Sequence, residues 1–261
     1  MIKHIFCDLD GTLLMDFREI NVSDIKALQM AQQNGIKVSI ATGRLDYEIK
    51  MIMEKYQLSG YRISQNGAVV FDEYDNLIYE NILLPEDVLA ILEVLKNENV
   101  IIFYQTKDSY FVEKKLPIIT EFETSQPFIK YIEKPNILQE LTQYQFVNIS
   151  LWIEKDYNLE LKKILDKILP NHLESYVSSR YTLDITNKIN SKGNAINQLG
   201  IISDVIAVIG DSQNDISMFK ITSNSFVMEN ADELTKKYAK YTVKNVTEAV
   251  RIILENNFSF Q

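Results

Sequence analysis

The apolar residues of this chain fall into two rhythms, and the switch between them marks its organisation. Residues 2–7 (IKHIFC) form a short apolar run that stops at Asp8, which reads as a buried strand followed by a loop over 8–12. Residues 23–34 place Ile25, Leu28, Met30 and Ala31 near helical spacing. Ser23 suits the N-cap and Gly35 the left-handed stop. A second strand over 36–41 (IKVSIA) breaks at Thr42-Gly43-Arg44, and Ile49, Ile52, Met53 and Tyr56 then predict a helix over 45–57. A third strand over 61–64 ends at Gln65-Asn66-Gly67. This βαβαβ alternation predicts a parallel sheet with right-handed crossovers.

The rhythm then changes. Residues 68–82 read as a hairpin turning at Asp75-Asn76, and 86–97 as a helix. Between 100 and 184, short strands (100–105, 109–113, 145–153, 181–185) mix with helices (136–143, 157–168), punctuated by Pro117, Pro127, Pro135 and Pro170. Pro85, the remaining proline, stands at the junction. The βα rhythm returns with a helix over 191–199 and a strand over 204–209 (DVIAVI) broken at Gly210-Asp211. The expected fold is therefore α/β. A doubly wound parallel-sheet core over 1–82 and 185–261 carries an inserted α+β domain over 83–184.

Composition narrows the function classes. The chain has 261 residues, 46% hydrophobic and 24% charged, as in an ordinary globular protein. A net charge of −9 disfavours nucleic acid and anionic membranes as partners. The single cysteine, Cys7, excludes a disulfide framework and fits a reducing compartment. No apolar run approaches the ~20 residues of a spanning helix, and residues 1–7 contain Lys3 and His4 rather than a signal-peptide core. The expectation is a cytoplasmic protein, a monomer or weak homo-oligomer. The acidity also poses a problem: an anionic substrate would need local cations.

Four local patterns carry candidate chemistry. Asp8-Leu9-Asp10-Gly11-Thr12 follows the first strand, so two carboxylates reach the crevice where open parallel sheets bind ligands. A carboxylate facing phosphorus can act as a covalent nucleophile. A second can protonate the leaving alcohol and then deprotonate water, a role worth roughly 10²–10⁴-fold. Thr42-Gly43-Arg44 lies about one βαβ unit further on, and its hydroxyl and backbone N–H groups suit phosphate oxygens. Ser191-Lys192-Gly193 opens a helix, where the dipole and the lysine both favour anions. Gly210-Asp211-Ser212-Gln213-Asn214-Asp215 follows the strand DVIAVI and gathers the hard oxygens that magnesium prefers. Each pattern also has a plain reading: an acidic turn, an N-capping threonine, a solvated lysine, a polar N-cap cluster. All four, however, fall at strand ends or helix starts and converge on one side of one sheet.

The charges require such a set. Two like charges 4 Å apart repel by about 4 kcal/mol at an effective dielectric near 20. A phosphate facing Asp8 therefore needs a divalent cation on Asp8 and Asp211, with Lys192 adding to the offset. Phosphoryl transfer is mainly positioning and electrostatic stabilisation, which these groups can supply.

In order, DLDGT, ATGR, SKG and GDSQND resemble the haloacid dehalogenase superfamily, and within it the Cof-like phosphatases with a type IIB cap between the second and third motifs. The resemblance spans nearly the whole chain. It implies a Mg2+-dependent phosphatase acting on a small phosphorylated metabolite through an aspartyl-phosphate. Asp8 would be nucleophile and metal ligand, and Asp10 general acid/base with its backbone carbonyl on the metal. Asp211 would be the remaining ligand, and Asp215 would hold the metal's waters or stand behind them. The Leu9 backbone, Thr12, Thr42, Gly43, Lys192 and Asn214 would hold phosphate. Asn66-Gly67 and Leu183-Asp184-Ile185 match the family's crossings into and out of the cap. The acid at Asp10 is absent from the dehalogenases and phosphonatases. Glu229, in Met228-Glu229-Asn230-Ala231, replaces a glycine common in the family.

The resemblance leaves sugar phosphates, nucleotide-like phosphates, flavin mononucleotide and pyridoxal phosphate open as substrates. A phosphosugar mutase, and a phospho-acceptor or ligand-binding regulatory domain, are the alternative activities. Cys7 and His4 read as structural, and His172 as a cap residue. Trp152, Tyr110, Tyr176 and Arg180 either fill the cap's core or line a pocket.

Overall fold

The computed structural model describes residues 1–15, 19–125, 129–153, 157–178 and 181–258. The chain divides into two compact units, Met1–Tyr79 with Ser191–Gln261, and Glu80–Asn190.

The first unit is built on an eight-stranded sheet. Its strands run in the order Tyr241–Val243, Ser225–Met228, Ile206–Gly210, His4–Cys7, Lys37–Ala41, Arg62–Ser64, Val69–Phe71 and Leu77–Glu80. The first six are parallel, and Val69–Phe71 pairs antiparallel with Arg62–Ser64. The strand His4–Cys7 shows why the sheet is doubly wound. Ile5 and Cys7 enter one core with the helices Val22–Gln33, Asp46–Lys55 and Val246–Phe258, while Phe6 enters the opposite core with Lys192–Gln198 and Ile216–Phe219. Cys7, with no exposed surface, is packing material. The chain leaves this strand towards Lys37–Ala41 on one side and returns through Ile206–Gly210 on the other. That is a topological switch point, and in such sheets the ligand crevice lies outside the carboxyl ends of the strands there.

Most expected elements of this unit are present within a residue or two, with one correction. The first helix is capped by Asn21, whose Oδ1 accepts the Ser23 N–H at 3.0 Å, so Ser23 lies inside the first turn. Gly35 does take the left-handed conformation, φ 78°. Glu229 follows the strand Ser225–Met228 without a left-handed backbone, and its N–H bonds Val243 O at 2.8 Å, so the chain needs no glycine there.

The second unit is a six-stranded sheet in the order Tyr131–Glu133, Tyr110–Val112, Val100–Gln105, Asn148–Ile153, Thr182–Asn187 and Leu173–Val177. Helices Pro85–Leu95 and Asn158–Ile168 cover one face through Val88, Ile91, Leu161 and Leu165, which pack on Tyr104, Ile149, Leu151 and Leu183. The expected helix over 136–143 is not formed. Ile137, Gln139 and Glu140 each donate to the carbonyl three residues back, so tight turns ending in a 3₁₀ turn at Leu141–Gln143 bury Ile137 and Leu141 instead. Helix Pro117–Ser125 and strands Tyr131–Glu133 and Leu173–Val177 are additional to the expected elements. Thr182–Asn187 is one continuous strand paired on both sides, so residues 185–190 group with this unit, and 80–82 do so too. Asp184 therefore sits buried in mid-sheet, accepting from the Ser150 hydroxyl, rather than at a return crossing.

The residues considered for a pocket here are largely structural. His172 Nε2 lies 2.9 Å from Asp87 Oδ2. Tyr110 is buried and its ring packs 5.4 Å from Tyr131, while Trp152 stacks on Tyr181. Tyr176 lends a side-chain hydrogen bond to Asp184. Pro127 and Arg180 lie outside the described residues.

Candidate active site

The parallel register assembles the site. Cys7 is level with Ile209 on one side and Ile40 on the other, so the chain ends that follow, beginning with Asp8, Gly210 and Ala41, emerge side by side. Asp8, 3% exposed, is anchored by its backbone N–H on Ile209 O at 2.9 Å. The loop beyond folds back on itself, with the Leu9 carbonyl accepting from the N–H groups of Leu13 and Leu14 at 2.9 and 2.7 Å. Gly11 makes the turn at φ 88°, and a Cβ there would stand 2.4 Å from Asp211 Oδ2. Glycine is thus required twice over, by backbone and by space.

Lys192 is the centre of the buried charge. It has no exposed surface, and its Nζ donates to Asp8 Oδ1 and to Asp215 Oδ1, each at 2.6 Å. Asp215, equally buried, accepts at Oδ2 from the N–H groups of Asp211 and Ser212 at 2.9 and 3.0 Å. Both its oxygens are therefore engaged by the protein, and it acts as the brace of the Asp211 loop. Asp211 accepts at Oδ1 from the Thr12 hydroxyl at 2.8 Å, so Thr12 is oriented onto a carboxylate rather than outward. Oxygens of Asp8, Asp211 and Asp215 lie within 4.8 Å of one another.

Three carboxyl groups thus face one ammonium, so with all three ionised the cluster would carry two negative charges more than Lys192 offsets. Burial drives the Asp8 carboxyl well above the usual carboxylate range, against the pull of Lys192. Burial, with the Asp215 charge behind it, pushes Asp211 up to about 6. Burial alone would lower Lys192, but Asp215 and Asp8 outweigh it and hold the ammonium charged.

The remaining residues line the approach. Asp10 lies apart from the three-acid group. Its carboxylate is gripped by Arg44, Nε to Oδ2 and Nη2 to Oδ1, both at 2.7 Å. Arg44 is in turn held by Glu48, 3.3 Å away, whose other oxygen accepts the Leu45 N–H at 3.0 Å. Thr42 is buried behind the loop, and its Oγ1 accepts the Arg44 N–H at 3.3 Å. Gly43 abuts the Asn66 carboxamide. Asn214 is exposed and donates from Nδ2 to Asn66 Oδ1 at 2.9 Å. The four patterns picked from sequence thus meet at one sheet edge. Arg44, Glu48 and Asn66 are partners to which sequence reasoning gave no role in the site. The i,i+4 spacing of Arg44 and Glu48 was the available signal for one of those links.

The family of haloacid dehalogenase-like hydrolases matches residues 5–251. The 5-amino-6-(5-phospho-D-ribitylamino)uracil phosphatase YcsE of Bacillus subtilis is 27% identical over 256 residues, covering 95% of this chain and 93% of that protein. A crystal structure from Thermotoga maritima superposes with TM-score 0.84 at 27% identity, over 98% of this chain and 97% of that one. In fold alone, at 23% identity, a subclass IIB sugar phosphatase superposes with TM-score 0.80 over 99% of this chain and all of that one. An acid after the central strand, a second acid group level with it across the switch point, and an inserted mixed domain thus have one common explanation: the chain belongs to the haloacid dehalogenase-like hydrolases.

Proposed function

We propose that this hydrolase is a magnesium-dependent phosphatase that cleaves the phosphomonoester of a small metabolite through an aspartyl-phosphate on Asp8. The observation that carries the reading is three carboxyl groups, Asp8, Asp211 and Asp215, gathered around the single ammonium of Lys192, an excess of two charges once all are ionised. A divalent cation matches that excess, and the donors are all hard oxygens, as magnesium prefers. Asp8 and Asp211, with the Asp10 backbone carbonyl, would hold the ion, and Asp215 would brace the loop that presents Asp211. When bound, the ion supplies positive charge against the phosphate oxygens and the nucleophile.

The chain's own groups account for the rest. An Asp8 oxygen attacks phosphorus as the bond to the leaving alcohol breaks, and the alcohol takes a proton from the Asp10 carboxyl. Asp10 then removes a proton from water, whose oxygen attacks the same phosphorus. Inorganic phosphate leaves and Asp8 is regenerated. Arg44 fixes the direction of the Asp10 carboxylate, and Lys192 holds Asp8. The loops of Leu9, Thr42-Gly43 and Asn214 offer N–H and side-chain donors to phosphate. Residues 80–190 would serve as the cap that selects the leaving group. The name of YcsE suggests phosphate esters of polyhydroxylated alcohols as the first substrates to examine, with sugar phosphates beside them.

The test is phosphate release from an aryl phosphate in Mg2+. Asp8→Asn is expected to abolish turnover while keeping the fold. Turnover at the wild-type rate would remove Asp8 as nucleophile.

A further inference from the structure

Gln65, Asn66 and Gly67 are three consecutive residues in the left-handed region, with φ of 47°, 54° and 98°. For two non-glycine residues that is a strained backbone, and strain of this kind persists only where the surroundings over-determine it. The surroundings are three of the four loops of the site. The Gln65 N–H bonds Arg44 O at 3.0 Å and the Asn66 N–H bonds Thr42 O at 2.9 Å, tying the turn to the Thr42-Gly43-Arg44 loop. Asn66 Oδ1 accepts from Asn214 Nδ2 at 2.9 Å, tying it to the loop after Gly210. A Cβ on Gly67 would stand 2.4 Å from Ser191 O, so the turn also packs directly on the residue that caps the Lys192 helix. Asn66 itself is 9% exposed.

We propose that Asn66 is a positioning residue: its carboxamide, presented by the strained turn, sets Asn214 against the Thr42-Gly43 loop so that both meet the same phosphate group. Asparagine is apt at this position because it tolerates the left-handed backbone better than most side chains and carries an acceptor. The inference rests on the phosphatase reading, since it concerns the donors that hold phosphate.

The experiment compares Asn66→Gly, Asn66→Ala, Asn214→Ala and the double variant Asn66→Gly/Asn214→Ala. Each is assayed for turnover of an aryl phosphate, inhibition by inorganic phosphate, and thermal melting, all in Mg2+. Glycine accepts the backbone without strain, so Asn66→Gly is expected to melt at or above the wild-type temperature and Asn66→Ala below it. Both lose the carboxamide, so both should raise KM and the phosphate inhibition constant about tenfold, as for one lost hydrogen bond, with a smaller fall in kcat. In the Asn214→Ala background, Asn66→Gly should add less than about twofold. Wild-type KM and phosphate inhibition in Asn66→Gly would overturn the proposal, and so would effects that multiply with those of Asn214→Ala. An Asn66→Gly chain that fails to fold would overturn it as well, because the turn would then serve the fold and not the site. Asp8→Asn separates the two claims: if that variant still turns over, the chemical reading fails, while phosphate inhibition continues to report on Asn66.

Discussion

Asp211→Asn should make the metal-free protein more stable while destroying its function. The substitution is nearly isosteric, and the new carboxamide oxygen still accepts the Thr12 hydroxyl that Asp211 accepts at 2.8 Å. What it removes is the carboxylate of the group that Lys192 does not pair with directly. The size of the effect follows from the carboxyl's position, about 6 against an ordinary value of 3.8, driven first by burial and then by Asp215. About two units at 1.36 kcal/mol each give a penalty of about 3 kcal/mol for the ionised group. The sign follows from proton occupancy. Below the unfolded value the group is protonated in both states and costs nothing. Between about 3.8 and 6 the folded chain keeps a proton the unfolded chain has lost, so stability falls as pH rises. Above about 6 both states are ionised and the whole penalty stands.

The assay is denaturant unfolding in EDTA at two pH values, repeated with Mg2+. Near pH 7.5 in EDTA, Asp211→Asn should exceed the wild type by roughly 1–3 kcal/mol, and near pH 4 the two should agree. Mg2+ at about 100 times its dissociation constant should stabilise the wild type by about 2.7 kcal/mol and the variant hardly at all. Phosphate release should fall at least about a hundredfold, beyond the loss from a residue that merely orients a metal ligand. A variant less stable than the wild type in EDTA at pH 7.5, or a gap of equal size at both pH values, would refute the charge argument.

Two further outcomes follow from the same cluster. Lys192→Met removes the ammonium 2.6 Å from both Asp8 and Asp215, so it should cost about 3–5 kcal/mol at neutral pH and leave no turnover; stability unchanged at pH 7.5 by urea unfolding would contradict this. Arg44→Gln frees the Asp10 carboxylate from its two-pronged grip, so kcat/KM should fall more for an alkyl phosphate, whose leaving group needs a proton, than for an aryl phosphate; an unchanged ratio between the two substrates would show that Arg44 does not orient the acid.

What could be read from the sequence was local. A four-residue strand with Ile5, Phe6 and Cys7 fully buried announces itself as an apolar run, and the loop residues after it are placed by the strand's end. That suffices to bring three loops to one edge, because parallel strands all end on the same side, and the fourth, at Ser191, opens the helix Lys192–Gln198. The pairings between loops were not legible, since they depend on strand order and on which rotamer each side chain takes. Thr12 reads as a hydroxyl for phosphate but turns onto Asp211, and Lys192 reads as an anion site but serves two carboxylates. The second unit was harder for a different reason. Of helix Pro117–Ser125 only Ile119 is buried, with Ile118 and Phe122 exposed, so no apolar stripe marks it. Conversely, Ile137 and Leu141 sit four apart as on a helix, yet Pro135 precedes them and the backbone closes into tighter turns.

The two glycines of the switch point show how the site is made rather than merely decorated. A Cβ on Gly210 would stand 2.5 Å from Asp215 Cγ, just as one on Gly11 would stand 2.4 Å from Asp211 Oδ2. Each glycine leaves a volume that a carboxylate fills, and each carboxylate is thereby pressed against backbone in place of water. Burial is the first cause that lifts Asp211 to about 6, and it lifts Asp8 well above the usual range as well. The sequence spacing Asp-x-Asp-Gly-Thr beside Gly-Asp-x-x-x-Asp is therefore a packing statement as well as a chemical one. Gly11 lets Asp211 approach the neighbouring loop, and Gly210 lets Asp215 fold back onto its own. An alanine at Gly11 should displace Asp211, and one at Gly210 should displace Asp215 from the brace it forms for the Asp211 loop, so either would break up the acid group without altering any of its three carboxylates.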